Sequence, residues 1–271
     1  MELVYLIILL ILGLVAGVVA GLFGVGGGVF FTPILFYIFS GQGVESPVVW
    51  TIGTSLFCTF TASFSSTLQQ FRQKNFYLKE GVKVGLLGAC GVYAGKWIAT
   101  SPAYTDVLFV SFFSLILAVV AVLFYRRGSG VAPLPESGRP VHLGRAGVTG
   151  GLGGFVAALA GVGGGVVMVP MMNLGYRIGM KRAVSISSFA IVIISLSGWL
   201  QFALFSRSGP ALTSVSLGSV DIGTALPLVL GSLAGGYFGV RINHSLQESR
   251  VQIAYSLLVL FIAILMIARV W

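Results

Sequence analysis

Charge is what this sequence has least of. Only 8% of its 271 residues are Asp, Glu, Lys or Arg, against about a quarter in an ordinary soluble domain, and the shortage excludes a water-exposed globule. Histidine is nearly missing as well. His142 and His244 stand alone, without metal-ligand spacing, so neither a metal centre nor imidazole catalysis has a foothold. The two cysteines, Cys58 and Cys90, sit in separate apolar runs with no CxxC spacing and read as inert packing residues. Carboxylates number seven, Glu2, Glu45, Glu80, Asp106, Glu136, Asp221 and Glu248, all near the ends of apolar runs. With no nucleophile beside a base, the chain reads as a non-enzyme that uses no cofactor and no metal.

What is there is apolar. Hydrophobic residues make up 56% of the chain and the mean hydropathy is +1.00, which assigns it to a bilayer. The net charge of +9 does not point to nucleic acid, because Lys and Arg fall in short clusters between long apolar runs, with no basic face interleaved with aromatics.

Five apolar runs, 3–23, 29–39, 48–71, 82–99 and 107–125, precede a proline-broken linker at 126–145, and five follow it, 146–160, 166–176, 184–205, 222–240 and 251–268. A helix needs about 20 residues to cross the hydrocarbon core, so the second run of each half is too short to cross alone. The expected division is a first transmembrane repeat at 1–125, the linker at 126–145 and a second repeat at 146–271. Basic residues cluster at 72–83, in the linker, at 177–182 and at 241–250, and the positive-inside rule makes these cytoplasmic. The loops around Glu45, at 100–106 and at 206–221 then lie outside, as do both termini. An odd number of crossings separates the halves, so they are inverted with respect to each other, as in many secondary transporters. The expected fold is an all-α polytopic membrane protein of two inverted-topology repeats, each with five hydrophobic segments.

One stretch occurs twice. Gly24, Val25, Gly26, Gly27, Gly28 and Pro33 recur at a fixed offset as Gly161, Val162, Gly163, Gly164, Gly165 and Pro170. Glycine is among the poorest helix formers, and irregular backbone in a membrane is tolerated only where protein or a water-filled cavity surrounds it. The two runs therefore predict broken or re-entrant helices facing each other at the repeat interface. A helix starting after each break would aim its free amides and positive dipole end at an anion. A phosphate loop is excluded because no Lys-Ser or Lys-Thr follows the glycines, and a dinucleotide site because no strand-turn-helix unit surrounds them. Elsewhere, Gly13/Gly17/Gly21, Gly91/Gly95, Gly147/Gly151 and Gly235/Gly239 have the small-xxx-small spacing of membrane helix contacts.

Side-chain donors come from the third segment of each half: Thr51, Thr54, Ser55, Thr59, Thr61, Ser63, Ser65 and Ser66, then Ser185, Ser187, Ser188, Ser195 and Ser197. Of these, Thr54, Ser55, Ser187 and Ser188 hold equivalent places in the two repeats and are the preferred binding residues. Gln69, Gln70 and Gln201 join them, since an amide is costly against lipid. Phe30, Phe31, Phe57, Phe189, Trp50 and Trp199 are candidates for apolar walls. No lysine or arginine lies deep in a run, so binding by neutral dipoles is expected. Asp221 is the carboxylate best positioned for ion coupling, with helix capping as its ordinary role.

The paired GxxxGxxGxGGGxxxxP stretches, the hydroxyl-rich run after each and the basic central linker resemble the sulfite exporter TauE/SafE family, also called the toluene sulfonate uptake permease family. That resemblance implies a bacterial inner-membrane carrier of small sulfur-containing anions, sulfonates, sulfoacetate or sulfite, coupled in some cases to protons or other ions. The expected function is a secondary transporter with the anion and the lipid bilayer as its partners. An anion channel and a non-transporting membrane scaffold subunit are the alternatives.

Overall fold

The structure, a computed structural model, describes residues 3–23, 26–72, 77–128, 141–206, 210–243 and 248–270. Helix α1 spans Leu3–Phe23, α2 Gly28–Gly41, α3 Pro47–Arg72, α4 Leu78–Ala99 and α5 Asp106–Gly128. The second half follows with α6 at Leu143–Ala160, α7 at Gly165–Pro170, α8 at Met180–Phe205, α9 at Ile222–Asn243 and α10 at Glu248–Val270. The protein is an all-α, multi-pass membrane protein. Six helices, α1, α3, α5, α6, α8 and α10, contain stretches long and apolar enough to cross a bilayer.

Local chemistry sets the helix ends. Pro47 starts α3, where its missing N–H has no intrahelical acceptor to lose. Asp106 opens α5 at the positive end of the helix dipole. That helix runs on through Arg126 and Arg127, whose charge suits its carbonyl end, and reaches Gly128, whereas the linker had been expected to begin at residue 126. At the other border α6 begins at Leu143, two residues before the expected linker ends. Residues 129–140 of the linker lie outside the described residues, as do Gly24, Val25 and His244. A short antiparallel hairpin, β1 (Ser216–Leu217) with β2 (Val220–Asp221), was not expected in the 206–221 loop.

Glycine controls which helices touch. A Cβ at Gly13 would overlap the Leu228 carbonyl, and one at Gly17 the Ser232 carbonyl. Since both contacts advance together, α1 and α9 run parallel. Helices α4 and α6 do the same: Gly150 abuts Val84, and one turn on Gly154 abuts Gly88. Within the small-xxx-small set Gly13, Gly17, Gly91, Gly95 and Gly235 make such backbone contacts, whereas Gly147 meets only a distant Leu87 methyl.

Two further pairs run antiparallel. In α3 and α8, Gly53 lies against Phe202 while Leu56 lies against Gly198. In α5 and α10, the Ser114 hydroxyl donates to the Ala263 carbonyl at 3.4 Å, and the Phe124 and Tyr255 rings meet edge-on with centroids 4.9 Å apart.

Polar clasps join the halves at both ends. Near the start of α4 and α8, Arg182 donates from Nη2 to Glu80 Oε1 at 2.6 Å and from Nε to Oε2 at 3.3 Å, while its guanidinium stacks on Tyr77. Glu80 also accepts the Val141 amide at 3.1 Å. Where α9 begins, the clasp is neutral: the Asp221 amide donates to the Thr54 hydroxyl at 3.0 Å.

Candidate functional site

Both glycine runs form turns between helices. Gly26 and Gly27 have φ of 82° and 73°, and Gly163 and Gly164 have φ of 70° and 78°, a left-handed region that costs a residue with a side chain roughly 1–2 kcal/mol. Gly27 is the N-cap of α2 and Gly164 that of α7, and neither receives a side-chain capping hydrogen bond. The amides of Phe30 and Phe31 donate to the Gly27 carbonyl at 2.9 and 3.2 Å, and those of Val167 and Met168 to the Gly164 carbonyl at 3.1 and 3.0 Å. The amides before them, Gly28 and Val29 in α2, have no acceptor within the helix. Gly26–Gly28 and Gly163–Gly165 are buried throughout.

The two runs meet. A Cβ added to Gly28 would lie 2.7 Å from the Val162 backbone and 2.8 Å from Thr59 Oγ1. Thr59 also reaches the second run, its methyl 2.5 Å from a Cβ at Gly163. Ser63 Oγ lies 2.8 Å from the corresponding point on Gly26, and Ser195 Oγ 3.2 Å from that on Gly163. Between them sits Ile191, fully buried, which touches both Gly26 and Gly163. Helices α3 and α8 thus bring hydroxyls to the glycine backbone, and a side chain at Gly26 or Gly28 would push those hydroxyls away.

The expected donors divide into groups. Ser55 donates to the Gly161 carbonyl at 2.9 Å and shares a 2.9 Å hydrogen bond with Thr32. Because its single proton is committed to Gly161, Thr32 is the donor in that second bond. Thr54 serves the α9 clasp. Ser187 and Ser188 are buried, and their hydroxyls have no partner among the described residues. Gln201 donates from Nε2 to Ser197 at 2.9 Å, leaving its buried Oε1 unpartnered among the described residues. Gln70 is half-buried near the end of α3, and the side chain of Gln69 lies outside the described residues.

Asp221 is the single fully buried charged residue among the described residues. Its carboxylate accepts the Thr213 hydroxyl, the Thr213 amide at 3.1 Å and the Thr224 amide at 3.2 Å, so it caps the start of α9. Among the aromatic candidates, Trp199 meets Phe57 edge-on at 5.4 Å and Phe60 at 6.3 Å, and its buried Nε1 has no partner among the described residues.

Thr59, Ser63 and Ser195 were passed over in favour of residues equivalent between the repeats, yet they lie beside Gly26, Gly28 and Gly163, while Ser55 of the preferred set reaches the second run at the Gly161 carbonyl. One signal was available. Ser55, Thr59 and Ser63 recur every four residues, which puts them along neighbouring turns of one helix side.

The sequence of this site now has a wider context. A family profile described as Sulfite exporter TauE/SafE matches residues 9–266. The chain belongs to the TauE/SafE family. The TauE/SafE match takes in both glycine runs and every side chain described above. Among similar proteins, a probable membrane transporter protein of Methanocaldococcus jannaschii is 26% identical over 235 residues, covering 87% of this chain and 85% of that one. The probable membrane transporter protein YunE of Bacillus subtilis is 27% identical over 255 residues, covering 85% of each. A probable membrane transporter protein of Haemophilus influenzae is 27% identical over 265 residues, covering 92% of each. No solved structure matches the chain.

Proposed function

We propose that this protein is a secondary transporter that moves small sulfur-containing anions, sulfonates, sulfoacetate or sulfite, across the bacterial inner membrane by alternating access. The observation that carries the proposal is the meeting of the two glycine turns, with Gly28 against the Val162 backbone and unpartnered hydroxyls around them. Helix directions support an inverted repeat. Exchanging the halves turns the parallel α1–α9 pair into α6–α4, also parallel, while α3 and α5 run opposite to their equivalents α8 and α10. Rearranging such halves exposes a central site to each side in turn. In this reading residues 1–125 and 146–271 are the repeats, the 126–145 linker is cytoplasmic, and both termini are periplasmic. The similarity to proteins described as probable membrane transporters supports the general activity.

The glycine runs contribute backbone to the anion, and Ser187, Ser188, Gln69, Gln70 and Gln201 belong to the surrounding donors. Thr54 and Ser55 act through the clasps they form. A coupling role for Asp221 requires it to release the α9 cap during the cycle. Counterflow in proteoliposomes tests the proposal: internal unlabelled sulfonate or sulfite should drive saturable uptake of the labelled anion. Ohmic anion current without counterflow would instead establish a channel.

A further inference from the structure

The hydroxyls of Thr59, Ser63 and Ser195 are fully buried and have no hydrogen-bond partner among the described residues. That is not forced by their position in helices. On the same helix Thr61 donates back to the Cys58 carbonyl at 2.8 Å, the usual way a membrane helix satisfies a hydroxyl. Thr59 and Ser63 forgo that bond and sit beside the glycine turns, where the first amides of the 14-residue helix α2 also lack intrahelical acceptors. Burying unpaired polar groups is costly, so a set of donors from α2, α3 and α8 gathered around two glycine turns has the character of a binding site.

Its charge is equally informative. Among the described residues no lysine or arginine is fully buried, and the one buried carboxylate is committed to the α9 cap. The donors near the glycines are all neutral. The idealised cost of burying an ion rises with the square of its charge, about fourfold from one charge to two, while neutral donors supply no opposing full charge. Building on the transporter reading, we infer that Thr59, Ser63 and Ser195, with the first amides of α2, bind singly charged oxyanions and reject doubly charged ones. A sulfonate with no second acidic group satisfies this at any ordinary pH, whereas sulfoacetate, a dianion once its carboxyl ionises, drops out of the proposed substrates. Sulfite satisfies it as its protonated monoanion, which gives its binding a pH dependence that originates in the ligand and not in a protein carboxylate.

Calorimetric titration of the purified full-length protein with methanesulfonate and with sulfate, at matched ionic strength, tests the inference. Methanesulfonate should bind equally in mildly acid and mildly alkaline buffer, sulfate at least about 100-fold more weakly, and sulfite more tightly as pH falls. Thr59→Val, Ser63→Ala and Ser195→Ala should each weaken methanesulfonate binding about 10-fold, as expected for losing a hydrogen bond to a charged group, with unfolding temperatures preserved. Thr61→Val, which removes only a local bond, should leave binding unchanged. Sulfate binding as tight as methanesulfonate overturns the charge rule without needing any variant. Wild-type affinity in all three hydroxyl variants overturns the site but leaves the transporter reading standing. Absence of both anion binding and counterflow overturns the two together.

Discussion

The two glycine turns share a sequence but not a role. The first leads into α2, 14 residues that remain helical through Pro33, whereas the second leads into α7, which ends at Pro170 and passes into a wider π-turn at Met171–Gly175. The difference extends to their neighbours. A Cβ at Gly27 would come closest to side chains, the Phe31 ring at 3.0 Å and the Ala20 methyl at 3.2 Å, while one at Gly164 would overlap the carbonyl of Gly153 in α6. Thr32 ties the first turn's helix to Ser55, but its equivalent in the second half is Val169, and Ser188, the equivalent of Ser55, has no partner among the described residues. At the N-cap position, then, one turn is locked onto the backbone of its own half and the other is bordered by side chains, although Gly28 beside it rests on the Val162 backbone.

The largest test of that contrast exchanges each N-cap glycine for alanine. Gly164→Ala combines left-handed strain with overlap against α6 backbone and should destabilise the protein by about 3–5 kcal/mol. Gly27→Ala should cost about 1–2 kcal/mol, mostly from backbone strain. Thermal unfolding of the purified variants measures both, and equal losses would remove the distinction between the turns. Next in size is Ile191→Ala. Because that side chain touches both turns, its truncation should lower stability by about 2–4 kcal/mol, and a negligible loss would show that the turns do not depend on a shared plug.

Smallest, and most selective, is the serine pair. Ser55→Ala leaves the buried Gly161 carbonyl and the Thr32 hydroxyl without their partner and should cost about 1–2 kcal/mol. Ser188→Ala removes a hydroxyl with no partner among the described residues, so its unfolding free energy should stay within about 0.5 kcal/mol of the parent. Equal effects of the two substitutions would mean that the halves are energetically alike.

Much of this was legible beforehand. Hydropathy separated the long helices, because a bilayer allows few ways to satisfy a backbone. The positions of α2 and α7 followed from the glycine runs, since both helices start at the third of the three adjacent glycines. The side chains nearest those turns were less legible. Thr54 and Ser55 matched the repeat pattern but are committed to a clasp and to the Gly161 carbonyl, while Thr59 and Ser63 lacked equivalent hydroxyls in the second half.

Composition and patterning by themselves determined that the chain is a helical membrane protein with two broken elements, because these properties depend on local apolar length and on glycine's freedom at positive φ. Only tertiary structure decided that Gly28 rests on the Val162 backbone, that Ile191 spans both turns, and that Thr59, Ser63 and Ser195 turn toward them. Those contacts join residues far apart in the chain, and they depend on how α3 and α8 cross, which no local pattern encodes.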